Sequence, residues 1–209
     1  MRKTVLLCLA AILIMVSACD GGSKVCRIHG TVNNPNLEDA CIYLIAFDKA
    51  IRDSVGIDSA FIKDGKFEIS TKKNMVGILR MDYRYRYGIE ELLVVEEPGD
   101  VYVTIDSISS GHGTKHNDII QRWKELTSAA ASKRLPMLKG SYKARQQNDP
   151  AQEYRLRAIS DSIFVEYMNQ TKDLIKECDK GPLQTFLKSR IPSVYQMHKA
   201  DGSVEEIKF

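Results

Sequence analysis

The sequence predicts an α+β protein, with an N-terminal antiparallel β-sandwich or barrel-like domain followed by a C-terminal helical segment. Three observations predict it. Apolar residues alternate with period two through the first half of the mature chain, and they recur at three- and four-residue spacings through the second. Turn formers interrupt the first half every 8 to 12 residues.

The β domain is expected over residues 24–115. Cys26, Ile28 and Val32 alternate with Arg27, His29 and Thr31, with Gly30 in the apolar phase, as in a half-buried strand. Asn33-Asn34-Pro35-Asn36 is dense in turn formers. Cys41 to Phe47 is more fully apolar and suits a central strand. Asp53 to Ile62 reads as a further strand closed by Lys63-Asp64-Gly65-Lys66, where Asp-Gly supplies the positive φ of a tight hairpin. Phe67 with Ile69, Val76 to Met81, Leu92 to Val95 and Val101 to Ile105 continue the series. Glu97-Pro98-Gly99-Asp100 turns the chain between the last two. Six or seven short strands of this kind make a sandwich or barrel.

Helices are expected over residues 116–190. Asn117 is placed to cap a helix that carries Ile119, Ile120, Trp123 and Leu126 on one face and stops near Leu135-Pro136. A second helix starts with Asp149 as N-cap, Pro150 in the first position and Gln152 at the capping-box spacing. Its stripe of Leu156, Ile159, Ile163, Tyr167, Leu174 and Cys178 faces a partner, and Gly181-Pro182 ends it. Residues 191–209 form a tail with at best a weak hairpin at Asp201-Gly202.

The amino end carries a different code. Arg2 and Lys3 precede the apolar run Val5 to Val16, which is too short to span a bilayer and has the order of a secretory signal peptide. Val16-Ser17-Ala18-Cys19 resembles a lipobox, which implies a signal peptide over 1–18 and lipidation of Cys19. Several acyl chains on one cysteine anchor a protein durably, whereas one alone holds reversibly. Residues 19–23 then form the lipidated tether. The expected location is the cell envelope, with the outer membrane favoured and the body in the periplasm or at the cell surface.

Removing residues 1–18 lowers the balance from 30 Lys+Arg against 27 Asp+Glu to 28 against 27. Such a near-neutral chain has no global field to attract nucleic acid or anionic lipid. After cleavage Cys26, Cys41 and Cys178 are left, an odd number without a Cys-x-x-Cys pair. If Asn36 marked the turn of a hairpin, Cys26 would lie far from Cys41, so buried free thiols are expected.

Ile28-x-Gly30, Ile42-Tyr43-Leu44, Ile57-Asp58-Ser59-Ala60, Asp64-Gly65-Lys66-Phe67 and Glu97-Pro98-Gly99-Asp100 occur in this order. Together they resemble the domain of unknown function (DUF) 4369 family, over roughly residues 24 to 125. That resemblance implies a bacterial lipoprotein domain often found ahead of a thioredoxin-like module. No active-site cysteine pair follows here, and the family domain implies no catalytic residues.

Three local features compete for function. Tyr83-Arg84-Tyr85-Arg86-Tyr87, if extended, puts the tyrosines on one face and the arginines on the other, a possible binding surface for sugar rings or a protein. The competing reading is an edge hairpin whose tyrosines cover the core. His112 and His116 are four residues apart, but no further ligand completes a metal site, so surface histidines are expected. Lys133, Arg134, Lys139, Lys143 and Arg145 lie between the two expected helices, either as solvated loop or in contact with anionic headgroups.

The expected function is a non-catalytic interaction module, membrane-bound through its N-terminal lipid, with a protein or glycan partner and neither cofactor nor metal. The alternative is an accessory of periplasmic thiol-disulfide chemistry. A third reading, hydrolase chemistry, is poorly supported, because no histidine is placed by the sequence to activate Ser59 beside Asp58.

Overall fold

The computed structural model describes residues 24–47, 58–82 and 84–209. The expected signal peptide, Cys19, the expected tether, the first part of the strand expected at Asp53 to Ile62, and Tyr83 lie outside the described residues.

The chain is α+β, and its two main sheets do not close into a barrel. The front sheet has the order β4-β1-β7-β8, formed by Lys66–Thr71, Cys26–Val32, Gly99–Ile105 and Ser110–His112. The back sheet has the order β3-β2-β5-β6, formed by Asp58–Phe61, Cys41–Ala46, Val76–Met81 and Leu92–Val95. All pairings are antiparallel except β1 with β7, which run parallel with Cys26 beside Gly99 and Val32 beside Ile105. The antiparallel expectation is thus corrected at one place. The Asn33–Asn36 segment does not make a β1–β2 hairpin either. It forms a 3-10 turn at Pro35–Leu37 that carries the chain from one sheet to the other.

The period-2 residues of both sheets meet between them. Ile28, Ile69, Val101 and Val103 of the front sheet pack with Ile42, Leu44, Leu79, Leu92 and Val94 of the back sheet in one apolar cluster. Gly30 sits in this phase because Phe67, its cross-strand partner, fills the space a side chain would need. A Cβ at Gly30 would stand 1.9 Å from the Phe67 ring.

The β5–β6 side of the back sheet is buried on its other face too, which explains the apolar runs Val76–Leu79 and Leu92–Val95. There Val76, Val95 and Leu93 meet Ile119, Ile120 and Trp123 of α2 (Lys115–Gln146). Leu174 and Ile175 of α3 (Pro150–Glu177) and Leu183, Phe186 and Leu187 of α4 (Pro182–Lys188) complete this second core. The remaining helix, α1 (Arg84–Tyr87), is a single turn between β5 and β6.

Four sequence expectations change. Helix α2 runs through Pro136 to Gln146 instead of stopping there. Proline removes one donor and disfavours helix in the residue before it, but α2 packs along α3, where Gly140 lets Leu156 approach closely. The basic stretch therefore lies on a helix rather than in a loop. Gly181-Pro182 opens α4, with Gly181 as N-cap, after α3 has ended at Cys178. Along α3 the buried line runs through Ser160, Asp161, Met168 and Thr171, while Ile159 is 40 % exposed.

The tail folds into a hairpin, β9 (Val194–His198) with β10 (Val204–Lys208), docked on α3. Asp161 explains the polar residue in the buried line. It accepts hydrogen bonds from Tyr195 Oη–H at 2.7 Å, His198 N–H at 2.9 Å and His198 Nδ1–H at 2.8 Å.

Candidate functional site

With helices over the back sheet, the front sheet keeps one open face, made by the polar phase of its strands. The parallel register sets Arg27 beside Asp100 and His29 beside Tyr102, and the β7–β8 pairing sets Tyr102 opposite His112. His29, Tyr102 and His112 thereby form a row across three neighbouring strands. Tyr102 is 58 % exposed and stacks on the His29 ring at 5.2 Å, with 23° between the planes.

Asp100 fixes this row. Its carboxylate accepts from Arg27 Nε–H at 2.7 Å and from a terminal guanidinium N–H at 2.9 Å, while His29 Nε2 lies 3.0 Å away. The Arg27 hydrogen bond, then that of His29, holds the Asp100 carboxyl well below the usual carboxylate range. With its oxygens engaged, Asp100 orients rings instead of serving as a base. The row borders an open groove of about 610 Å³ walled by Lys63, Lys66, Glu68 and Phe61, the last 65 % exposed. Such a surface can stack flat apolar faces while offering polar groups at its margin.

Of the strand geometry expected for Tyr83 to Tyr87, the described part, Arg84–Tyr87, has none. Arg84–Tyr87 is helical, so its tyrosines diverge. Tyr85 is 83 % exposed, whereas Tyr87 packs against the sandwich core. Arg84 pairs with Glu91 at 2.6 Å and lies over the Tyr85 ring at 4.3 Å, and Arg86 lies over Tyr87 at 5.5 Å.

His116 is not a surface histidine. Its Nδ1 meets Glu97 at 2.6 Å and its Nε2 accepts from the Asp179 backbone N–H at 3.2 Å, a pattern that suits the neutral Nδ1–H tautomer. This pins the start of α2 to the β6–β7 turn and to the corner after α3. His112, by contrast, stands exposed in the front-sheet row. Among the described residues no group of three or more His, Cys, Asp or Glu side chains could hold a metal ion.

Asn117 is not the N-cap of α2; Thr114 is. The Asn117 amide instead accepts from Val95 N–H at 2.9 Å and donates to Val95 C=O at 2.8 Å, occupying the free edge of β6. Gln121, one turn on, accepts from Gly111 N–H at 3.2 Å, on β8 of the other sheet. The first two turns of α2 thus close the open side of the sandwich.

A family model described as domain of unknown function (DUF4369) matches residues 26–120. The sandwich belongs to the DUF4369 family. The DUF4369 match ends within α2, just past Asn117, in keeping with a domain completed by that helix. No curated protein and no solved structure matches the chain.

The three thiols of the described chain are free. Cys26 is buried in the DUF4369 core, and burial, then the nearby Glu96 and Glu97 carboxylates, pushes its thiol up to about 11. Burial likewise raises Cys178, while Cys41 is half-buried. Beneath the back sheet Glu96 is 1 % exposed and accepts from Thr71 Oγ1–H at 2.9 Å; burial raises its carboxyl.

The polar phase of β1 and β7 was visible in the sequence, so His29 and Tyr102 could be placed on an outward face. Their alignment could not, because it depends on a parallel pairing between strands far apart in sequence.

Proposed function

We propose that this is a lipid-anchored envelope protein, acylated on Cys19, whose DUF4369 domain is a non-catalytic interaction module. The lipobox-like Val16-Ser17-Ala18-Cys19 and the short apolar run before it support the anchor. No helix among the described residues is long and apolar enough to cross a membrane.

The observation that carries the interaction reading is the aligned row of His29, Tyr102 and His112 on the sandwich face that the helices leave open. A protein or glycan partner would stack on it. The Tyr85–Tyr87 turn is a secondary candidate, since only Tyr85 of the two is presented to solvent. The thiol-disulfide alternative has less support, because two of the three thiols are buried with raised pKa.

The test places a photocrosslinking amino acid at Tyr102 in intact cells and identifies adducts by mass spectrometry. A discrete adduct, lost when His29 and His112 are also replaced by alanine, is the expected result. Absence of any adduct at Tyr102 would refute the face as a binding surface. Cys19→Ser tests the anchor separately: the protein should leave the membrane fraction in a carbonate wash.

A further inference from the structure

We propose that the distal half of α2 is a membrane-contact surface for anionic phospholipid. Leu135, Leu138 and Tyr142 follow one another at three- and four-residue spacings, so they share one side of the helix. They are 52 %, 43 % and 64 % exposed, whereas Ala130, Ser141 and Ala144 on another side are buried. Leu135 and Leu138 also border an open groove of about 450 Å³, closed on its far side by Tyr167 of α3.

Charge selects the occupant. From Leu126 to Asn148 the sequence contains no Asp or Glu. Lys139 stands one turn after Leu135, Lys143 one turn after Lys139, and Arg145 three residues after Tyr142. All three are exposed, and none has a carboxylate partner among the described residues. Arg134 is different, since it is committed to Ser160 and to the Phe164 ring at 4.6 Å. Lys133 borders a second groove together with Glu166.

An apolar stripe flanked by unneutralised cations on an exposed helix is the pattern of an interfacial helix. Leucine and tyrosine side chains enter the boundary of the acyl chains, while lysine and arginine meet phosphates at headgroup level. An acidic protein could satisfy the same cations, but the stripe itself offers few hydrogen-bonding groups with which to read one. The proposal rests on the envelope location proposed above only in that the anchor would hold α2 near the bilayer.

The experiment uses the full chain, produced in a lipidating bacterium and reconstituted into vesicles of phosphatidylglycerol and phosphatidylethanolamine. A trace of phosphatidylglycerol with a photoactivatable acyl chain labels whatever enters the bilayer boundary. Adducts on peptides from Leu135 to Arg145 are expected. They should fall at least tenfold in Lys139→Glu/Lys143→Glu/Arg145→Glu and in Leu135→Asn/Leu138→Asn, with unchanged circular dichroism. Adducts confined to residues beside Cys19 would overturn the proposal, as would selective crosslinking of these residues to a protein in cells.

If the chain proves not to be lipidated, sedimentation of the soluble protein with the same vesicles and with phosphatidylcholine vesicles decides the matter. Pelleting with the anionic vesicles alone supports the surface, and equal recovery in both supernatants refutes it.

Discussion

Asn117 and Val95 are bound to each other as two strands would be, through one donated and one accepted hydrogen bond of 2.8 and 2.9 Å. A side-chain amide stands where the next strand of the back sheet would be, and it is 1 % exposed. Replacing Asn117 by leucine leaves the Val95 N–H and C=O without partners, at a cost of about 1–3 kcal/mol for each buried group left unpaired. Urea unfolding should therefore show a loss of roughly 2–6 kcal/mol by the same rule. A loss below about 0.5 kcal/mol, the range of an ordinary surface substitution, would contradict this role.

Gly30→Ala should destabilise the sandwich by about 1–3 kcal/mol, since it drives a methyl group into the Phe67 ring. The check is a double-mutant cycle. Gly30→Ala with Phe67→Leu should be more stable than the sum of the single losses predicts. Strict additivity would mean that the two residues do not share that space.

For Glu96 the pH dependence has a definite sign. Burial raises its folded-state carboxyl, so the folded protein holds its proton to higher pH than the unfolded chain does. Its contribution is fully present below the unfolded value and is lost as pH rises through the folded one. Glu96→Gln keeps the shape without the charge. It should match the wild type near pH 4 and exceed it in thermal stability near pH 7, and equal behaviour at both would count against a raised Glu96.

Asp161 behaves oppositely. Burial alone would raise it, but the His198 backbone N–H, the Tyr195 hydroxyl and the His198 ring together outweigh burial and hold it below its ordinary value. Its contribution is present above the unfolded Asp value near 4 and is lost as pH falls through the lower folded one. Protection against hydrogen exchange in Val194–Lys208, corrected for the intrinsic rate at each pH, should fall in acid, and Asp161→Ala should lower it at least about tenfold at neutral pH, the equivalent of about 1.4 kcal/mol. Unchanged protection of the hairpin would show that Asp161 does not hold it.

Thiol labelling of the native protein should follow exposure, with Cys41 modified before Cys26 and Cys178. Mass spectrometry of a brief maleimide treatment gives the order. Early modification of Cys178 would revive the thiol-disulfide reading.

The strands of the DUF4369 domain were largely legible because apolar alternation has a direct physical cause, burial of one face. The Asp149-Pro150 start of α3 was legible for a similar reason, since capping is local, and the Asp149 carboxylate does accept from Gln152 N–H at 3.0 Å. Tyr83 to Tyr87 misled because alternating Tyr and Arg fits a strand pattern, whereas Arg84 is drawn to Glu91 and Tyr87 to the core. Pro136 misled because a local break signal was outweighed by packing along α3. Asn117 was read as a local cap when its partner lay in another element, information no window of sequence contains.

The parallel pairing of β1 with β7 has a kinetic consequence. Cys26 must wait for Gly99, and Val32 for Ile105, before the centre of the front sheet exists. β4 can join β1 on one side earlier, but the other side stays an unsatisfied edge until almost the whole domain is available. Closing so long a loop before its contacts are rewarded slows folding. The strand nearest the amino end is thus among the last to be completed, and a chain truncated ahead of β7 would expose a sticky strand edge rather than a smaller domain.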